Sequence, residues 1–393
     1  MPVWYETLKP HVDDGKLVIV GVVQEQHPDR ARLFAQWKGI TGPLLADPVN
    51  YMHAKAVPVF VAVDEHGYVR DTKPDLKTFV DDFVKKEFPG EPAFITPNTD
   101  EPPNTRVTRR MSEEARNAPA LVSHGEALLL AGELAQVEEA IEVYGKAIED
   151  DAKNAMAYFG LGVAYRMRYD SEKRLATDFQ ASIDAWEKAL SLAPNNYIYR
   201  RRLQQYGPAL DKPYAFYDWV ATARKEIKAR GEEPLPLVSE PIGAELGGKA
   251  AVPAGGKHPK GDPKGKVTRD KKHLIALETA VVRSTESSQK GESEVHLTLR
   301  PSIALGAHWN NESEPLRVWL KAPKGVKVAP VFLEWPNAEA ATSDEVRTVS
   351  FAVTRDGKSR KAVTIKGYAL YNVCEGAEGK CVFRRQDFQV KIK

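Results

Sequence analysis

The spacing of apolar and polar positions changes three times along this chain. Over residues 1–95 strand and helix patterns alternate. LVIVGVV (17–23) is an unbroken β-branched run, the signature of a buried strand. DRARLFAQWKGI (29–40) and LKTFVDDFVKKEF (76–88) space their apolar residues as amphipathic helices. VPVFVAVDEHGYVRD (57–71) reads as two strands about a turn at His66-Gly67. This alternation predicts a small layered α/β domain. From 112 to 230 the pattern is helical, rich in Ala and Leu, and it echoes itself. AIEVYGKAIEDDAKN (140–154) aligns with SIDAWEKALSLAPNN (182–196), so that Tyr144 matches Trp186, Ala147 matches Ala189 and Ala152 matches Pro194. The two segments start 42 residues apart (182 minus 140), longer than the roughly 34-residue tetratricopeptide period. The surplus falls on RYDSEKRLATDFQ (168–180), which is expected to lengthen the helix pair. Beyond 272 the chain becomes short strand-like runs, among them VHLTLRPSI, PLRVWLKAP, RTVSFAVTRDG and KAVTIKGYALYNV, separated by turn residues. Residues 273–393 are therefore expected to form an all-β sandwich.

Two stretches punctuate these regions. TPNTDEPPNTRVTRR, within 96–111, is a Pro-, Asn- and Thr-rich linker. Residues 231–272 are rich in Gly and Pro, lack aromatics and accumulate Lys toward their end, which predicts a solvated flexible linker. With 56 Lys plus Arg against 54 Asp plus Glu, the chain has no overall electrostatic case for nucleic acid. No window approaches the ~18 apolar residues that span a bilayer. The opening MPVWYETLKPHVDDGK has neither the basic start nor the apolar run of a secretory leader, so the chain taken literally reads as cytosolic.

The strand LVIVGVV followed by QEQHPDRARLFAQW, and AKAVPVFVAVDEHGYVR after it, resemble the thioredoxin-like fold of redoxin and peroxiredoxin-type proteins. The resemblance implies that Pro58 is a cis proline facing an active site; the residues alone allow a trans proline opening an edge strand. MPVWYETLKP is similar to the family's helix just after the active-site turn. The first strand and the Cys-x-x-Cys of the family would then lie upstream of Met1, and the expectation is that the native start is further upstream. As the sequence stands, this region holds no thiol nucleophile.

NAMAYFGLGVAY (154–165) resembles the first helix of a tetratricopeptide repeat, with Tyr158, Leu161, Gly162 and Tyr165 on its large and small positions. Gly162 is expected to let two helices approach. Stacked helix pairs of this kind present a concave surface to a protein segment. A plain helical spacer is the other reading of 112–230. Tyr158, Trp186 and Trp219 read as core residues.

The last region holds both cysteines of the chain, in YNVCEGAEGKCVF (371–383). Tyr368 to Val373 alternates as a strand, EGAEGK supplies a turn and CVF resumes the strand. Cys374 and Cys381 then face each other at the ~5.5 Å Cα separation a disulfide needs. So short a loop removes little chain entropy, so the bridge contributes less than the ~3 kcal/mol of a 15-residue loop. Glu375 and Glu378 disfavour a thiolate, whereas Lys380, Arg384 and Arg385 favour one. A structural disulfide, an exchangeable redox pair, and free or metal-bound thiols all stay open, although two Cys without a nearby His make only half a zinc site. His308 reads as a turn histidine, and Trp319, Phe332 and Trp335 as core. LRPSIALGAHWNNESEPLRVWL (299–320) and GYALYNVCEGAEGKCVFRRQDFQVKI together resemble the N-terminal periplasmic domain of the thiol:disulfide interchange protein DsbD, an immunoglobulin-like sandwich. The resemblance implies that Cys374 and Cys381 accept electrons from a thioredoxin-like partner and pass them to client proteins. It also implies an oxidising, periplasmic location. No cofactor or metal is expected. The expected function is thiol–disulfide exchange; the alternative is a non-catalytic scaffold whose disulfide is structural.

Overall fold

The computed structural model describes residues 2–24, 27–55, 58–90, 117–208, 219–237, 258–286, 290–355, 362–376 and 379–393. They form two compact units, one within Met1–Arg168, Lys188–Tyr199 and Val220–Leu237, the other within Tyr169–Glu187, Arg200–Trp219 and Val238–Lys393. The linker expected at 96–111 lies outside the described residues, as does all of 238–257.

The first unit opens with helix α1 (Pro2–Asp13), strand β1 (Gly21–Val23), helix α2 (Pro28–Lys38) and strand β2 (Leu44–Ala46), with β1 and β2 pairing in parallel. Strands β3 (Ala62–Val63) and β4 (Val69–Asp71) form a separate antiparallel pair. Their turn is organised by Asp64, whose Oδ1 accepts the His66 and Tyr68 amides at 2.9 Å while Oδ2 takes Arg70 Nε at 2.6 Å. A small core gathers Leu8, Ala62 and Phe79 with Trp4, Leu17, Ile19 and Phe83. The α/β alternation is thus present, but among the described residues the strands make two separate two-stranded sheets rather than one layered sheet. Two expectations are corrected. Residues 17–20 do not form a strand, and Val18, Val20 and Val22 are exposed, because only one face of this segment is covered. The helix expected at 76–88 is a turn followed by a π-helical stretch, Val80–Val84, closed by the Lys85 amide on Val80 O at 3.0 Å.

The helical region supplies α3 (Ala118–Ala131), α4 (Leu134–Asp150), α5 (Ala155–Tyr169), α6 (Asp178–Leu192), α7 (Tyr197–Gln204) and α8 (Trp219–Ala229). Local chemistry sets several of their starts. Asn117 Oδ1 accepts the Ala120 amide at 3.1 Å, and Asn154 Oδ1 takes that of Ala157 at 3.0 Å. Gly132, at φ 77°, ends α3 in the left-handed conformation that suits glycine. The RYDSEKRLATDFQ surplus does not lengthen the helices: 170–177 are turns, and Asp178 Oδ2 accepts the Leu175 amide at 3.0 Å. The close helix approach centres on Tyr144 of α4, whose ring fits against Gly125 of α3 and Gly160 of α5. The start of the expected 231–272 linker is also tied down, since the Leu235 amide donates to Gln36 Oε1 at 2.9 Å.

In the second unit two antiparallel sheets share one core. One has the order β5 (Ile275–Arg283), β6 (Glu292–Pro301), β12 (Arg347–Arg355), β9 (Val326–Ala329). The other runs β10 (Phe332–Trp335), β8 (Leu316–Lys321), β13 (Val363–Glu375), β7 (Ala307–Asn310), β11 (Thr342–Ser343), with β14 (Cys381–Ile392) along the opposite edge of β13. Alternation places Val295, Leu297 and Leu299 of β6 against Ala369, Tyr371 and Val373 of β13 and their neighbours. Phe332 is fully buried, whereas Trp319 and Trp335 are only partly so. Residues 258–272, expected to be linker, instead pack on this sandwich. Asp262 pairs with Arg385 at 3.2 Å, and Asp270 Oδ2 accepts the buried Tyr371 hydroxyl at 2.9 Å. The glycines and lysines of this segment hid two carboxylates that the sandwich needs.

Burial pushes Glu294 of β6 up to about 8 from its ordinary 4.5. The folded protein therefore keeps a proton that the unfolded chain releases near 4.5. The stability this gives is full below the unfolded value and is lost as pH rises through about 8. Urea midpoints should fall over that interval in the wild type and fall less steeply in Glu294→Gln; equal slopes would refute the assignment.

Candidate functional site

The cysteine hairpin is built by sheet register. Cys374 pairs directly with Cys381 across β13 and β14, and with His308 across β13 and β7. The three residues therefore stand in one row across the sheet. Val373, Val382 and Trp309, their sequence neighbours, point into the core. The row accordingly lies on the outer face. Cys374 and Cys381 are disulfide-bonded, with a Cα separation of 3.9 Å. Of the three states the sequence left open, the structure holds the bridge.

The two sulfurs are not equivalent. Cys374 is on a strand flanked on both sides and is 1% exposed, whereas Cys381 is exposed at the start of the edge strand β14. Gly376, at φ 74°, turns the chain between them, and its amide donates to Gly306 O at 3.0 Å. The charges expected around the pair are arranged differently from their order in sequence. Lys272 Nζ lies 2.8 Å from Glu375 Oε2 and offsets its charge. Arg385 points away into the Asp262 and Asp387 carboxylates. Glu378 lies outside the described residues. His308 is a strand residue rather than a turn residue, with Nδ1 3.2 Å from Gly306 O.

Pro58 is exposed and outside any strand. The peptide bond that precedes it begins at Val57, which lies outside the described residues; among those that are described, the cis peptide is Ala329-Pro330. The structure brings Cys374 and Cys381 together, and Pro58 belongs to the other unit.

A second concave place lies wholly within the first unit and went unnoticed in the sequence. A cavity of about 530 Å³ is walled by the loop 49–55, by α3, α4 and α5, and by residues 193–199. Glu126, Tyr144 and Tyr199 line it, three polar side chains that are buried on their helices. Among the described residues no cluster of His, Cys, Asp and Glu has the makings of a metal site, and no helix is long and apolar enough to cross a membrane.

Together these features define a multidomain chain of helical repeats and β-sheets carrying an intramolecular disulfide. Residues 133–167, covering α4 and most of α5, match the family model for the TPR repeat. TPR repeats are protein-interaction modules, and this helical region carries one. A comparison with curated proteins finds no match.

Proposed function

We propose that this protein takes part in thiol–disulfide exchange with partner proteins in an oxidising, extracytoplasmic compartment. The TPR region recruits the partner, and the Cys374–Cys381 bridge turns over. The observation that carries the reading is the unequal exposure of the two cysteines: Cys381 is exposed and Cys374 is buried, which directs an incoming thiolate to Cys381. Attack on Cys381 Sγ breaks the bridge, forms a mixed disulfide and expels Cys374 as a thiolate beside the His308 imidazole. The partner's second thiolate then attacks the partner sulfur of the mixed disulfide, and Cys381 leaves. In sum, two electrons and two protons pass from the partner dithiol to the cysteine pair, and the partner becomes a disulfide. The DsbD-like resemblance of the sandwich and the thioredoxin-like resemblance of residues 1–95 support the same chemistry.

The TPR match favours a second reading, a non-catalytic scaffold whose bridge is structural. Titration in glutathione buffers, followed by alkylation of free thiols, separates the two. Exchange requires a midpoint above about −300 mV; a pair that stays oxidised below that value is a staple. With an oxidised, disulfide-bearing partner, the free Cys381 thiolate of Cys374→Ala should attack the partner bridge and form a mixed disulfide, the partner's other sulfur leaving as a thiolate. Cys381→Ala, which keeps only the buried Cys374, should form none.

A further inference from the structure

The cavity of the first unit has the chemistry of a receptor. Its volume, about 530 Å³, falls within the ~300–1,000 Å³ of small-ligand pockets. Its walls are held firmly. Asp47 accepts the Tyr51 and Met52 amides at 2.6 and 3.0 Å, and Asn50 Oδ1 accepts that of Ala54 at 3.0 Å. Asn50 and His53 adopt positive φ angles of 59° and 49°, a conformation that non-glycine residues keep only where their surroundings impose it. On the opposite wall, Asn196 caps the turn that presents Tyr199, accepting its amide at 3.2 Å.

The polar groups inside are poorly matched to one another. Glu126 lines the cavity while only 7% exposed, and burial raises its carboxyl above the usual range. The titratable neighbours that act on it are His53, whose protonated form would favour the carboxylate, and Asp47, which opposes it. Lys55, also on the lining, is exposed. The Tyr144 hydroxyl is fully buried at the same lining and makes no hydrogen bond. The Tyr199 phenol is pushed up to about 12 by burial and by the charge of Glu126, so it stays neutral as a hydrogen-bonding group. Phe159 stacks on Tyr199 with centroids 4.6 Å apart, giving an aromatic panel beside the carboxylate. A desolvated carboxylate, a hydroxyl without a partner and an aromatic panel are what an organic cation uses: an ion pair, a hydrogen-bond acceptor and a π face.

We propose that this cavity binds an organic cation, an alkylammonium or guanidinium group, against Glu126, Tyr144 and the Phe159–Tyr199 panel. A lysine or arginine side chain of a protein segment and a free amine share this chemistry, and the experiment tells them apart. The site is in the unit that lacks the cysteines, so the proposal stands or falls independently of disulfide exchange, and a Cys381→Ser chain should bind equally well.

The test is calorimetric titration of the full chain with N-acetyl-lysine amide, N-acetyl-arginine amide and the neutral isostere N-acetyl-citrulline amide. At least one cation should bind, and the arginine derivative should bind about tenfold or more tightly than the citrulline one. Glu126→Gln should weaken cation binding about tenfold. Tyr144→Phe, which removes only a hydroxyl with no protein partner, should fold normally and weaken binding about threefold. If Glu126→Gln fails to fold, the arginine–citrulline comparison on the wild type carries the charge test. A blocked lysine- or arginine-containing pentapeptide that binds about tenfold more tightly than the amides marks a protein segment as the source, and equal binding marks a free amine. The proposal is overturned if no cation binds at about 10 mM, if citrulline equals arginine, or if a folded Glu126→Gln binds as the wild type does.

Discussion

Replacing Tyr144 with alanine is expected to cost the helical region about 3–5 kcal/mol, the range for truncating a buried aromatic side chain. The ring is fully buried and is the single body filling the notch between Gly125 and Gly160. A methyl group added at Gly125 would lie 2.6 Å from Tyr144 Cζ, and one at Gly160 would lie closer still, so neither helix can move inward to heal a void without its neighbour moving too. Tyr144→Phe should leave stability unchanged or raise it slightly, because the hydroxyl is buried without a partner. Gly160→Ala should cost about 1–3 kcal/mol through overpacking. Pairing it with Tyr144→Leu should cost less than the two changes summed, since one substitution makes room for the other. Urea unfolding followed by circular dichroism reads all five variants, Tyr144→Leu alone included. A Tyr144→Ala loss below about 1 kcal/mol, the ordinary cost of a random substitution, would show that this ring does not hold the three helices together.

Arg347→Ala should destabilise the sandwich by about 3 kcal/mol, comparable to breaking a buried ion pair from one side. The Arg347 side chain is 2% exposed yet fully engaged. Its Nε donates to Glu345 Oε1 at 2.8 Å and Nη2 to Asn311 Oδ1 at 2.6 Å, and the guanidinium lies 4.3 Å from the centre of the Trp309 ring. Removing it strands the Asn311 carbonyl oxygen and the Glu345 carboxylate together, and uncovers a tryptophan at the centre of the core. Lysine should recover less than half of the loss, because an ammonium neither fills the fork nor stacks. Urea unfolding followed by circular dichroism measures the change. A full rescue by lysine would mean that only the charge matters.

What was legible in the sequence followed from how local each determinant is. The repeat echo of Tyr144 with Trp186 located two buried helix positions, because helix periodicity is written into adjacent turns. The cysteine hairpin was legible for the same reason: strand, glycine turn and strand lie within a few residues. Gly162 was expected to mark the close approach, whereas the ring of Tyr144 meets Gly125 and Gly160, choices made by partner helices and invisible to a single-helix pattern. LVIVGVV read as fully buried because composition records apolarity, not how many neighbours arrive to cover it; among the described residues only β2 pairs with its last three residues. Glu126 was passed over because one glutamate on an amphipathic helix looks like surface until another segment closes over it. The unequal burial of Cys374 and Cys381 needed the strand order, since one lies on an interior strand and the other on an edge.

The attachment of residues 258–272 changes where the sandwich begins as a folding unit. A fragment cut at residue 273 would keep every strand and still lose part of its structure. Arg385, 7% exposed, would lose Asp262, Tyr371 would lose the Asp270 carboxylate, and Trp319 would lose the Pro259 carbonyl that its indole N–H reaches at 3.3 Å. A boundary drawn to keep these contacts therefore lies no later than residue 258, and Tyr169–Glu187 and Arg200–Trp219 belong to the same compact unit. The stretch that composition marks as spacer serves there as the first layer of the fold.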